Sequence, residues 1–222
     1  MREVADAPMG PTPLSFTVVR VPFFLEPDYP LDESFEEPNR TRLLRKWGGA
    51  AGWEQQKLHH RLKERGQAVG IEKFDLDRPA SNTLHSHRLV QWATKTHGVA
   101  VSEALYDELN TRHFEKGQKL NSQSMLLDAA EAVGIDAEAA ELFLESSEGY
   151  TEIEEVQATL RALRINSIPT FIVGGETVVG GAAHARDFVE VFRQIEARGG
   201  GAPRAAFADA LGIPPTVLEQ TL

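Results

Sequence analysis

Thr170-Phe171-Ile172-Val173 and Thr177-Val178-Val179 are two short runs of β-branched and aromatic residues, separated by Gly174-Gly175-Glu176. Such runs favour extended backbone, and the glycines supply the positive φ angles a tight reversal needs, so the pattern predicts a hairpin. Gly180-Gly181 follows, then an amphipathic helix with Phe188, Phe192 and Ile195 on one face, closed by Gly199-Gly200-Gly201. Upstream there is one other strand-like run, Leu14-Ser15-Phe16-Thr17-Val18-Val19-Arg20-Val21, bounded by prolines. Between it and the hairpin, from about Asp32 to Arg164, the patterning is helical. The order strand, helical block, hairpin, helix predicts an α/β domain with a large all-helical insertion. It does not fit a doubly wound sheet, in which strands alternate with single helices.

The helical block carries its own punctuation. Asn121 can cap a helix striped by Leu126, Ala129, Ala130 and Val133, with Gly134 as its stop. Asp136 can cap a second helix, with Ala140, Phe143 and Leu144 on one face. Thr151 can open a third, striped by Ile153, Val156, Leu160 and Leu163. Ser81 or Asn82 can cap the segment holding Leu89, Trp92 and Ala93, which Gly98 closes. No repeat at a fixed period and no low-complexity tract is present.

The sharpest local signal is Ile165-Asn166-Ser167-Ile168-Pro169-Thr170-Phe171-Ile172-Val173. Proline at a strand entrance cannot donate a ladder hydrogen bond. A cis Ile168–Pro169 peptide that turns the chain into the strand explains it, and so does an ordinary trans proline opening an edge strand. With the hairpin, Val178-Val179-Gly180-Gly181-Ala182 and the terminal helix, this segment resembles the C-terminal half of a thioredoxin fold of the DsbA family. The resemblance is nearest to the branch of FrnE-like oxidoreductases, 2-hydroxychromene-2-carboxylate isomerases and kappa-class glutathione transferases. Val21-Pro22-Phe23-Phe24-Leu25-Glu26-Pro27-Asp28-Tyr29-Pro30 is similar to that branch's second strand and exit loop. Ser81-Asn82-Thr83-Leu84-His85-Ser86-His87-Arg88-Leu89 is similar to the opening of its central insert helix, and His113-Phe114-Glu115-Lys116-Gly117-Gln118-Lys119-Leu120 to its inter-helix connector.

The resemblance implies a thioredoxin-like α/β domain over residues 14–213. The helical insertion spans about 34–164, the C-terminal hairpin and helix 165–199, and residues 1–13 and 214–222 form flexible tails. It implies a thiol–disulfide oxidoreductase, yet the 222 residues contain no cysteine. Disulfides, Cys-ligated zinc and Cys nucleophiles are therefore excluded within them. The family's first strand and the cysteine- or serine-bearing turn after it have no counterpart in the roughly fifteen residues before the strand-like run. Ser15 lies inside that run, so it inherits no nucleophile role. The stretch Gly181-Ala182-Ala183-His184 lacks the hydroxyl–carboxylate pair with which the transferase branch holds a γ-glutamyl group. Loss of a central strand would leave sheet edges open.

Composition narrows the partners. With 33 acidic against 23 basic side chains the formal charge is −10, which argues against nucleic acid or an anionic membrane as partner. Arg40, Arg42, Arg45 and Lys46 read as a solvated helix face. No segment reaches the ~20 apolar residues of a spanning helix, and the acidic N-terminus does not read as a signal peptide, so a cytoplasmic location is expected. His59, His60, His85 and His87 are not spaced to converge on a metal. Arg88 is expected in a structural ion pair, and Trp47, Trp53 and Trp92 as core anchors.

Two functional readings follow. In one, the chain is a truncated gene model of an oxidoreductase whose cysteine turn lies upstream. In the other, it is a non-catalytic module that binds an extended peptide or a small thiol conjugate. The candidate binding residues are Ser167, Ile168, Pro169, Thr170, Gly181, Ala182 and Asn82, with no catalytic residue, no metal and no cofactor; a homodimer is a further expectation.

Overall fold

The structure, a computed structural model, describes residues 1–200 and 205–220, and the side chains of all of these except 57–60 and 62–63. It divides into two compact units. One comprises Met1–Phe23, Gln91–Ser102 and Gly149–Leu222; the other comprises Phe24–Val90 and Glu103–Glu148. In chain order the elements are α1 (Arg2–Asp6), β1 (Glu37–Pro38), α2 (Asn39–Lys46), α3 (Ala50–His60), α4 (Leu62–Gln67), β2 (Pro79–Ala80), α5 (Leu84–His97) and α6 (Val99–Asn110). A π-helical turn (Thr111–Glu115) precedes α7 (Gln123–Ala132), α8 (Ala137–Glu145), α9 (Tyr150–Ala162), β3 (Thr170–Val173), β4 (Thr177–Gly180), α10 (Ala185–Ala197) and α11 (Pro215–Leu218).

In the second unit, helix boundaries follow side-chain caps. The Asp136 carboxylate accepts from the Ala139 amide at 2.8 Å, and Gly134, at φ 82°, turns the chain out of α7. The expected cap Asn121 does something else. Its side-chain amide reaches the carbonyls of Asp32, Glu33 and Phe35, and α7 starts two residues later. Leu126, Ala129 and Ala130 of α7 and Ala140, Phe143 and Leu144 of α8 are buried, as the 3.6-residue spacing requires. β1 and β2 pair antiparallel over two residues each, a bridge hidden in sequence because each strand contains a proline.

Arg88 in this unit is fully buried. Its guanidinium donates to the carbonyls of Phe143, Leu144, Ser146 and Glu148 at 2.8–3.2 Å and lies over the Phe143 ring. The guanidinium thus caps the orphan carbonyls at and just beyond the end of α8. His113, also buried, accepts from Arg78 on Nε2 at 3.1 Å while its Nδ1 faces the Gln118 carbonyl at 2.9 Å. Burial, reinforced by the Arg78 cation, pushes the imidazole down to about 4. Trp47 and Trp53 stack at 5.5 Å and are only half-buried, so neither anchors a core.

In the first unit, Val99, Val156, Leu160, Ala208, Leu211, Ile213 and Val217 form the core. The run over residues 14–21 joins no ladder among the described residues. It is tied instead by side chains: the Thr17 hydroxyl to the Leu218 and Gln220 carbonyls, Gln91 to Arg20 and Gln157 to Pro22. Strand propensity alone does not make a strand, because a ladder also requires a partner backbone. Residues near both ends make contacts with this unit. Val4 of α1 is buried, and the Met9 amide donates to Glu196 of α10 at 2.7 Å. At the other end, α11 buries Val217.

Candidate functional site

β3 and β4 pair antiparallel, with Thr170 opposite Gly180, Phe171 opposite Val179, Ile172 opposite Val178 and Val173 opposite Thr177. Gly174 and Gly175, at φ 61° and 78°, carry the reversal. Period-two alternation divides the side chains between two faces. On one, Phe171 meets Phe188 of α10 edge-on at 4.8 Å, and Phe188 continues to Phe192 and on to Phe16. On the other, Thr170, Ile172, Val178 and Gly180 face a cavity of about 980 Å³. Leu163, Ile165 and the turn over residues 205–210 complete its walls.

The entrance to β3 is the Asn166–Pro169 loop. The Ile168–Pro169 peptide is cis. The Thr170 hydroxyl donates to the Ser167 carbonyl at 2.7 Å, and the Gly181 amide donates to the Pro169 carbonyl at 2.9 Å. That last bond fixes the phase of the ladder. If residues 169 and 181 form a hydrogen-bonded pair, so do 171 with 179 and 173 with 177. The amides and carbonyls of Thr170 and Ile172 therefore point to the other edge of β3, where no described residue bonds them.

Two backbone conformations uncommon for residues with side chains lie on this cavity. Arg164 has φ 56° and Phe207 has φ 70°. Arg164 follows α9 at the position where glycine usually ends a helix, with the Ile165 amide bonded back to Leu160 at 2.9 Å. The charged side chains of the lining are Arg164, Glu176 and Asp209.

The sequence-predicted residues divide. Ser167 and Thr170 line the cavity. Ile168, half exposed, and Pro169 sit at its entrance loop, and Gly181 closes the hairpin through its bond to Pro169. Ala182 leads to α10, where the Asp187 carboxylate accepts the His184 amide at 2.8 Å. Asn82 belongs to the other unit and is spent structurally. Its carbonyl oxygen caps α5 at the Leu84 amide (2.8 Å), and its amide donates to the Tyr29 carbonyl at 2.6 Å. Both ends of its side-chain amide are thus engaged within that unit. Sequence reasoning missed Arg164, Ile172 and Val178. The alternation that selected Thr170 pointed equally to Ile172, whereas Arg164 gave no signal because its φ cannot be read from composition.

The cavity offers no activated nucleophile among the described residues. The Thr170 hydroxyl is committed to a carbonyl, and no histidine or carboxylate is bonded to Ser167. Nor does any group of three or more His, Asp or Glu side chains gather for a metal ion among the described residues. His59 and His60 have side chains outside the described set. No described helix is long and apolar enough to cross a membrane.

Comparison with known proteins agrees with this architecture. The family model described as a DSBA-like thioredoxin domain matches residues 13–191. A solved structure of a probable DsbA oxidoreductase from Streptomyces coelicolor superposes with a TM-score of 0.66 at 26% identity, covering 82% of this chain and 76% of that one. No curated protein matches. The match over residues 13–191 takes in the run over residues 14–21, the helical block, the Ile168–Pro169 loop and the hairpin, and the chain belongs to the DsbA-like thioredoxin domain family.

Proposed function

We propose that these 222 residues act as a peptide-binding module of the DsbA-like family, without thiol–disulfide exchange. Exchange begins with attack by a thiolate, and the sequence has no cysteine to supply one. The observation that carries the binding reading is the open edge of β3. Thr170 and Ile172 present backbone groups that no described residue bonds, beside an apolar cavity and next to the Ser167–Pro169 loop. An extended chain satisfies such an edge by strand addition, its main chain giving affinity and its alternate side chains filling the cavity. A peptide fits better than a small thiol conjugate, because residues 181–184 bring no hydroxyl–carboxylate pair and Asp187 is occupied by the His184 amide. The order of motifs along the chain favours the FrnE-like branch.

The test is fluorescence anisotropy of a labelled extended peptide rich in valine and threonine. Binding is expected for the native chain and its loss for Ile172→Pro. That substitution removes an outward-facing amide and spares the ladder to β4, a position where an edge strand tolerates proline. Equal binding by the variant would show that β3 does not pair with the peptide. An insulin-reduction assay with dithiothreitol is expected to run at the uncatalysed rate, and acceleration by the purified chain would refute the redox-inactive part of the reading.

A further inference from the structure

The cavity along β3 is charged unequally from end to end. β3 runs from Thr170 to Val173, a rise of about 10 Å at ~3.4 Å per residue. At its Thr170 end stand Arg164 and the Asn166–Pro169 loop, reached directly from α9. At its Val173 end is the hairpin tip, where Glu176 lines the same cavity. Asp209 adds a second carboxylate to the wall. Both Arg164 and Glu176 are exposed, and no described residue forms an ion pair with either.

The backbone at Arg164 adds a second indication. At φ 56° a residue with a Cβ is disfavoured where glycine is not. The helix end would be cheaper to close with glycine, yet a long cation stands there, beside the cavity. Strain held in this way is characteristic of functional positions.

We infer that the bound strand is a polar-ended one: a peptide lying antiparallel to β3, basic at its N-terminal end beside Glu176 and acidic at its C-terminal end beside Arg164, with apolar side chains between. This rests on the peptide-binding reading above and specifies its ligand. Antiparallel pairing is chosen because its straight hydrogen bonds are the more stable per residue. The Thr170 and Ile172 groups, two residues apart on one edge, are spaced to accept it. The apolar middle follows from Ile172, Val178, Leu163 and Ile165 in the walls. Opposite charges at the two ends set direction and register, which backbone bonding alone does not fix.

The experiment compares three labelled heptapeptides, acetylated and amidated: Lys-Thr-Val-Thr-Val-Thr-Glu, its charge-swapped form Glu-Thr-Val-Thr-Val-Thr-Lys, and an uncharged form with glutamine at both ends. Exposed ion pairs are individually weak, so the first is expected to bind roughly five- to tenfold more tightly than the second. The double variant Arg164→Glu, Glu176→Lys is expected to invert that preference. Arg164→Gly, which suits its own φ and so keeps the fold, is expected to reduce the preference by about half on a logarithmic scale. If all three heptapeptides bind alike and the variants change nothing, the inference about charge is overturned while the peptide-binding reading stands. If none binds, the peptide-binding reading itself falls. Self-association of the chain that a saturating peptide does not reverse would mean that a second copy takes the edge, which also overturns the inference.

Discussion

Arg88 and His113 show how much a single buried polar side chain commits. Replacing Arg88 with methionine removes the guanidinium from four carbonyls at and just beyond the end of α8, of which that of Phe143 keeps other donors, the Ser146 amide and hydroxyl. The expected cost is about 3 kcal/mol or more, read from urea denaturation, with Arg88→Lys falling between because a point charge cannot reproduce the planar fork. His113 makes stability depend on pH with a definite sign. Unfolded histidine titrates near 6.5, whereas burial holds His113 down to about 4. Between those values only the unfolded chain takes up the proton. The stability is therefore fully present above about pH 6.5 and is lost as pH falls toward 4, at ~1.4 kcal/mol per pH unit and about 3 kcal/mol in all. Denaturation midpoints measured from pH 7 to 4 are expected to fall less steeply in His113→Gln. Burial also lowers His85, with the Arg88 cation adding to it, so some slope will remain in the same window. At Arg164 the expectation runs the other way. Arg164→Gly is expected to raise stability by roughly 1 kcal/mol, because glycine adopts a φ of 56° without a Cβ clash.

At the scale of elements, the hairpin is pinned on one face and open on the other. The Phe171–Phe188–Phe192–Phe16 chain holds the pinned face. Phe188→Ala is expected to cost about 2 kcal/mol by thermal unfolding, below the fully buried range because Phe188 is half-buried. The hairpin, α7 through α9 and the terminal helix were all legible in sequence, since each is announced by its own period and punctuation: Gly174-Gly175, Asp136, Gly134, and Phe188 with Phe192. The run over residues 14–21 belongs to neither ladder of the described residues. Its β-branched residues state a preference for extended backbone, but a strand also requires a partner that no local pattern can supply. Asn121 and Asn82 make the complementary point. Both are good cap residues by type, and only tertiary contacts decide that Asn82 caps α5 while Asn121 gathers the carbonyls of residues 32–35.

Across the whole molecule, family and chemistry part company. The ordered motifs from the run over residues 14–21 to α10 carry the DsbA-like resemblance, and the match over residues 13–191 establishes the family. The chemistry of a thiol oxidoreductase needs a thiolate, which these residues lack. What persists is a sheet edge and the loop beside it, and an edge is a binding device before it is a catalytic one. The most direct measurement is residue-resolved amide hydrogen exchange, with and without saturating Lys-Thr-Val-Thr-Val-Thr-Glu heptapeptide. The Thr170 and Ile172 amides are expected to exchange freely in the unliganded chain and become protected on binding, while Val179 and Thr177, paired within the hairpin, are protected in both. Protection of Thr170 and Ile172 without peptide, or no change on its addition, would contradict an open β3 edge as the binding site.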